Sequence, residues 1–525
     1  MKAAICRFAV LSLLIGSSAV HAQSGFDTFI DDTVQRYQLP GIAVGVIQNG
    51  EVVYRRTAGE LVAGSGHKID ADTLFKIASN SKAMTTAVLA RLVDAGKLKW
   101  DDPVVRHLPE FRMHDPWVTQ QMQVRDLLIH NSGMGAGAGD LMLWPEPNLF
   151  TRADVIRGLR HLKPLHSFRS RYAYDNTLYI VAGEVAAAAA GIPYEALLRR
   201  ELFEPLNMSR CQVGEWRRDT IGNVAQPHMR SDGKSIVIRA DGEVVPAIPM
   251  AAAGGIRCSL DDMLTWAKMW LAPERAGLQG GKPWLSAAQR DALWTAHMPM
   301  PLSRRMRDWD GSHFSAYGYG WRLTDVDGTS KVSHTGTLAG MYSVVTLLPQ
   351  KKAGFVILIN ADADEARTVL NQVLVKHFTA PEQGRSVAFY ADALAAEKQE
   401  ARSDAAVATP PSRHPASSRE MEEWLGVYND PWFGEVSVCK AEGKVHDKVR
   451  FSAAKSPMLT GDVMLTGDRL RVDWRDASVD AEPWLTFAGA GKGASRTLKM
   501  SKIDPEADFS YDYEDLSFTR VRDCP

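Results

Sequence analysis

The chain of 525 residues has only five cysteines, and neither a C-x-x-C nor an H-E-x-x-H pattern occurs in it, so the ordinary zinc signatures are missing. A G-x-S-x-G elbow is missing as well, which excludes a hydrolase built on that strand-turn-helix nucleophile. No apolar run reaches the roughly 20 residues that cross a bilayer; the richest internal one, Ile180 to Ala190, is interrupted by Glu184. Neither sign of charge prevails, with 61 Lys and Arg against 62 Asp and Glu, and no basic run is suited to tracking phosphates. Nucleic acid is excluded as a partner on that ground. Tandem repeats are also lacking.

What is present begins with Lys2 and Arg7, an apolar stretch from Phe8 to Ile15, and small residues ending Val20-His21-Ala22. This pattern predicts a secretory leader over residues 1–22 and a periplasmic or secreted product without a membrane span. Four cysteines follow it, Cys211, Cys258, Cys439 and Cys524. Export permits disulfides, and of three possible pairings Cys211 with Cys258 and Cys439 with Cys524 is favoured, because each pair stays within one expected domain.

The length suggests two domains, and 45% hydrophobic with 23% charged residues is ordinary for a globular protein. Helical spacing over Phe26 to Tyr37 is followed by extended runs Gly41 to Ile47 and Glu51 to Thr57, joined by the hairpin pair Asn49-Gly50. Helical patterns prevail from about Gly96 to Met250, and strand patterns return at Val332 to Leu348 and Ala353 to Asn360. Strands at both ends with helices between them predict one sheet assembled from distant segments. Residues 395–418, rich in Ala, Pro, Ser and charge, read as a linker between a domain at 23–394 and a β-rich one at 419–525.

Chemistry enters at Ser79-Asn80-Ser81-Lys82, where an extended run meets a helical one. A spacing of three stacks the hydroxyl and the amine on one helix face, so a lysine of depressed pKa can take the serine proton. The same spacing recurs by chance at Ser65, Ser231, Ser437 and Ser452, none of which opens a helix. Ser79 gains weight from Tyr174-Asp175-Asn176 and from Ser333-His334-Thr335-Gly336-Thr337 farther on. His130-Asn131-Ser132-Gly133 and Ala253-Gly254-Gly255-Ile256 complete the set.

In this order the motifs resemble the penicillin-recognising serine hydrolases, particularly class C β-lactamases and their D-aminopeptidase, esterase and CubicO-type relatives. The resemblance spans about residues 26–380. It implies an α/β fold, an antiparallel sheet flanked by helices with an inserted helical subdomain of the β-lactamase/transpeptidase type. It also implies catalytic roles for Ser79, Lys82 and Tyr174, substrate contacts from Asn176, His334, Thr335, Gly336 and Thr337, and no cofactor or metal. Asn80, Ser81, Thr335 and His130 are expected to be scaffolding around the site. Histidine stands where the family's K-T-G has lysine, which removes a permanent cation, so the resemblance points to D-amino-acid-containing peptides or small esters before β-lactams. A β-lactamase, a penicillin-binding protein and a non-turnover muropeptide or β-lactam binder remain open alternatives. Trp424-Leu425-Gly426-Val427-Tyr428 and Trp432-Phe433-Gly434 are similar to the lipocalin-like C-terminal barrel of some members. The expected partner is a small molecule or short peptide, with self-association into a homo-oligomer left open.

Overall fold

The computed structural model describes residues 13–275, 278–404, 412–441, 447–489 and 495–525, with side chains over 25–275, 280–400, 412–441, 447–489 and 495–525. Residues 1–12 of the expected leader lie outside the described residues, and 13–22 enter helix α1 (Leu13–Tyr37). Asn49 and Gly50 take φ of 52° and 80°, the left-handed pair a tight hairpin needs, and join β1 (Gly41–Gln48) to β2 (Glu51–Gly59).

Six further strands complete this sheet: β3 (Met298–Pro299), β4 (Ser315–Tyr317), β5 (Arg322–Val326), β6 (Thr329–Leu338), β7 (Met341–Leu348) and β8 (Ala353–Ile359). Their order is β3-β4-β5-β6-β7-β8-β1-β2, antiparallel throughout. The N-terminal hairpin thus attaches to the strand last in sequence, as the strand patterns at both ends anticipate. Strand β8 is buried along its whole length because both faces are covered. Phe355, Ile357 and Ile359 pack with α1, α6 (Asp364–Thr379) and α7 (Val387–Asp404), while Val356 and Leu358 point to the other core.

That second core holds α2 (Ser81–Asp94), α3 (Thr177–Ala190), α4 (Ala251–Gly254) and α5 (Leu260–Leu271). The stretch Val332 to Leu348 is a hairpin, not a continuous strand, turning at Gly340 with φ of 70°. The linker expected from 395 starts later. Residues 395–404 continue α7, because Ala-Glu-Lys-Gln-Glu-Ala-Arg favours helix, and 405–411 lie outside the described residues.

The C-terminal region closes on itself as a barrel of eight strands: β9 (Gly426–Asp430), β10 (Gly434–Lys440), β11 (Val449–Ala453), β12 (Thr460–Thr466), β13 (Arg469–Trp474), β14 (Pro483–Ala488), β15 (Thr497–Lys502) and β16 (Phe518–Arg522). Strand β9 pairs with both β10 and β16, and β12 with both β11 and β13, so no edge remains between them. The barrel packs against the helical subdomain, Phe433 lying 5.6 Å from the Phe150 ring and Lys455 bonding Asp154 at 2.9 Å. Among the described residues no single helix is long and apolar enough to cross a membrane.

Both favoured disulfides are formed, Cys211–Cys258 and Cys439–Cys524. The second ties the chain end to β10 across β9 and spans 85 residues. Cys439→Ser with Cys524→Ser is expected to lower stability by about 2–4 kcal/mol, read as a lower unfolding midpoint in denaturant; an unchanged midpoint would show that the cross-link contributes nothing.

Candidate active site

Helix α2 runs through the protein interior: 11 of its 14 residues are buried, so a polar side chain on it must find its partners inside the fold. Ser79 lies in the single 3-10 turn Ala78–Asn80 that leads into this helix, and Lys82 lies one turn on. Ala78 is held at φ of 48°, a left-handed conformation costly for alanine, which the surrounding contacts impose. Asn80 donates to Ser343 Oγ at 2.8 Å, and Ser343 Oγ donates in turn to the Ile77 carbonyl at 2.7 Å, pinning the turn to β7. Ser81 Oγ accepts from the Ile256 amide at 3.2 Å. The scaffolding expected of Asn80 and Ser81 is visible in these bonds.

Lys82 is fully buried and its Nζ meets three acceptors: Asn176 Oδ1 at 2.6 Å, the Ala253 carbonyl at 2.9 Å and Ser79 Oγ at 3.2 Å. A neutral amine can give its two hydrogens to the two shorter contacts and turn its lone pair to the Ser79 hydroxyl. Burial lowers the Lys82 pKa to about 7, against the pull of Asp140 and Asp175 toward the charged form and with help from Arg322. Relative to an ordinary lysine, that corresponds to a bias on the order of 5 kcal/mol toward the neutral amine.

Tyr174 and Asn176 come from the segment that enters α3, with Asn176 at its N-cap. The Tyr174 phenol contacts Ser79, and its ring lies 4.8 Å from Lys82 Nζ. Burial pushes the phenol well above the ordinary range, so it holds its proton. The ring rests on His130, 4.3 Å away. His130 is fully buried, receives the Asp175 amide at Nδ1 and is held neutral by burial.

The β6 motif divides into parts. Gly336 lies so close to Ile77 and Ser343 that any Cβ there would collide with both, which is how β6 reaches the Ser79 turn. Thr337 is exposed at this edge, its hydroxyl accepting from Arg367 at 2.9 Å. His334, expected to touch substrate, is instead fully buried. Its Nδ1 donates to the Thr335 carbonyl at 2.7 Å and Tyr317 donates to its Nε2 at 2.8 Å. With both nitrogens engaged and burial holding it neutral, His334 shapes the strand and adds no charge.

The cation missing from that position comes from the next strand. Arg322 on β5 donates to Thr335 Oγ1 at 2.6 Å, contacts Tyr172 and acts on Tyr174, Lys82 and His334. Among the described residues no carboxylate lies within ion-pair distance of it. Sequence reasoning missed Arg322, although the pair Asp327-Gly328, at φ of 48° and 71°, is a hairpin signal that places Arg322 opposite Ser333. It also missed Asp140, whose carboxylate accepts from Asn176 Nδ2 at 2.8 Å, and no local pattern marks that residue.

Comparison with known proteins bears on the family and the fold. The Beta-lactamase family model matches residues 26–377. Unguisins hydrolase ungD' of Aspergillus campestris is 24% identical over 436 residues, 79% of this chain and 77% of that protein. Penicillin-binding protein 4 of Amycolatopsis lactamdurans is 26% identical over 352 residues, 65% of this chain and 84% of its own. Among solved structures, the octameric penicillin-binding protein homologue from Pyrococcus abyssi superposes with a TM-score of 0.57 at 19% identity, covering 95% of this chain and 99% of that one, a likeness of fold.

Because the Ser79 hydroxyl faces an amine that loses its proton near pH 7, labelling of Ser79 by a fluorophosphonate should rise about tenfold per pH unit up to about 7 and then level off. Intact mass against time reads the rate. A rise continuing toward pH 10 would show that Lys82 keeps an ordinary proton affinity.

Proposed function

The chain belongs to the beta-lactamase family of serine hydrolases, and we propose that it is an exported member that cleaves small amides or esters bearing a free carboxylate, foremost short peptides containing a D-amino acid. The observation that carries this reading is the convergence of Lys82 and Tyr174 on Ser79, with Asn176 holding Lys82 and with Arg322 nearby, which has no carboxylate partner among the described residues. A half-buried guanidinium with no carboxylate partner among the described residues leaves a place for an anion, and a planar donor fork suits a substrate carboxylate.

The chemistry then follows from the geometry. Neutral Lys82 takes the Ser79 proton as Oγ attacks the carbonyl carbon, and the backbone N–H groups of Ser79 and Thr337 hold the oxyanion. As the tetrahedral carbon collapses, Tyr174 gives its proton to the departing nitrogen or oxygen and is refilled from the Lys82 ammonium. The serine proton ends on Tyr174, the leaving group carries the former Tyr174 proton, and Lys82 is neutral again. Water, deprotonated through the same pair, attacks the acyl carbon and releases Ser79. Tyr174 works here as a protonated relay, because burial makes its phenolate the costlier species.

Arg322 also gives a second reading, in which a β-lactam carboxylate is held and the acyl-enzyme turns over slowly. Intact mass after brief exposure to benzylpenicillin separates the two: an adduct that persists on wild type and is missing from Ser79→Ala supports the binder, while rapid D-peptide hydrolysis without a lasting adduct supports the peptidase. Ser79→Ala should abolish hydrolysis, and more than a trace remaining would sink the mechanism. Arg322→Ala should raise KM about 10- to 100-fold for a peptide with a free C-terminal carboxylate and leave its C-terminal amide nearly unchanged. Equal losses on both would remove the carboxylate role.

A further inference from the structure

The structure assigns Asp140 the task of orienting Asn176 and setting the proton affinity of Lys82, and assigns Ser510 and Asp512 of the barrel the task of holding Asp140 in place. We draw this from a continuous chain of bonds: Lys82 Nζ to Asn176 Oδ1 at 2.6 Å, Asn176 Nδ2 to Asp140 Oδ2 at 2.8 Å, and Ser510 Oγ to the same Asp140 oxygen at 2.9 Å. Ionised, the state that the Asn176 and Ser510 donors and the Lys82 ammonium favour, Asp140 accepts only, so it compels the Asn176 amide to turn its NH2 toward Asp140 and its oxygen toward Lys82. Without that constraint the amide can flip and present donors to the amine, which disrupts the arrangement that aims the lone pair at Ser79.

The barrel brackets this residue on both sides. Asp512 accepts from the Gly139 amide at 2.6 Å and from the Leu141 amide at 3.0 Å. Phe509 lies 5.7 Å from the Tyr174 ring and so close over Gly137 that a side chain there would collide with it. The segment between β15 and β16 therefore touches the loop of Asp140 and the catalytic tyrosine together. Such contacts make the barrel part of the site, not a passive appendage.

The groups that face this pair are few. Lys82 meets Asp140, Asp175 and Arg322, the rings of Tyr174 and Tyr179, and the neutral His130 and His334. Asp140 meets Lys82, Asp508 and Asp512 and has one oxygen with no partner among the described residues; burial pushes its carboxyl up, and the Asn176 and Ser510 hydrogen bonds and the Lys82 charge pull it back toward the ionised form. Two groups of opposite charge sharing one amide titrate as a coupled pair.

This inference rests on Lys82 as the base, and its test uses fluorophosphonate labelling of Ser79 in the full chain, which needs no turnover. Asp140→Asn keeps the shape and removes the charge that favours the ammonium, so the acid limb should move to lower pH by at least about one unit. Ser510→Ala, which leaves the carboxylate in place but less well supported, should move it the same way by less. A limb that stays at its wild-type position in both variants, or rates that fall uniformly with pH, overturns the role of Asp140 and Ser510 while leaving the hydrolase reading intact. Should Asp140→Asn fail to fold by circular dichroism, the Ser510→Ala limb decides alone. A wild-type rate with no limb between about pH 5 and 9 would remove Lys82 as base and this inference with it.

Discussion

The desolvation of one amine organises this protein's chemistry. Lys82 sits on a helix buried almost all round, and a charged ammonium there would lose its hydration without a carboxylate in direct contact. The fold accepts the lysine because three oxygens meet its nitrogen and because the neutral form is within reach near pH 7. That same accommodation makes Ser79 a usable nucleophile. A lysine at the surface with the same spacing, such as Lys68 after Ser65, makes an ordinary exposed ion pair with Glu60.

Everything around Lys82 comes from elsewhere in the chain. Asn176 arrives at the N-cap of α3, Ala253 at the end of α4, and β6 is brought against the Ser79 turn by β7, where Ser343 holds Ile77. The sheet order, with β1 inserted beside β8, closes the two ends of the hydrolase fold on each other. The turn therefore cannot shift independently of the sheet, and the left-handed Ala78 is stabilised by that enclosure.

What could be read from the sequence was what is local. Ser79 and Lys82 are one helical turn apart, Tyr174 and Asn176 two residues apart, and the Asn49-Gly50 hairpin specifies its own backbone. Fold and family were legible because several such local motifs occur in one order. Arg322 and Asp140 were not, because their meaning lies in contacts: Arg322 matters through a strand neighbour, and Asp140 through Asn176 and through Ser510, 370 positions away. The turn at Gly340 was hidden because the residues flanking it are apolar, and helix α7 because charged, alanine-rich sequence reads as linker or as helix with equal ease. The burial of His334 was equally invisible, since an exposed and a buried histidine on a strand are spelled alike.

His334 and Arg322 together show how a site can retain a cation while moving it. A lysine at position 334 would extend from β6; the histidine there is buried, neutral and locked between Tyr317 and the Thr335 carbonyl. Arg322 approaches from β5 and fixes itself on Thr335 Oγ1, so the positive charge stays permanent but has a planar donor surface and a tyrosine lining. Its field still opposes protonation of Lys82, which is the service a second cation performs for a lysine base. Histidine at 334 therefore leaves a cation acting on Lys82 and moves that cation to the reach of β5.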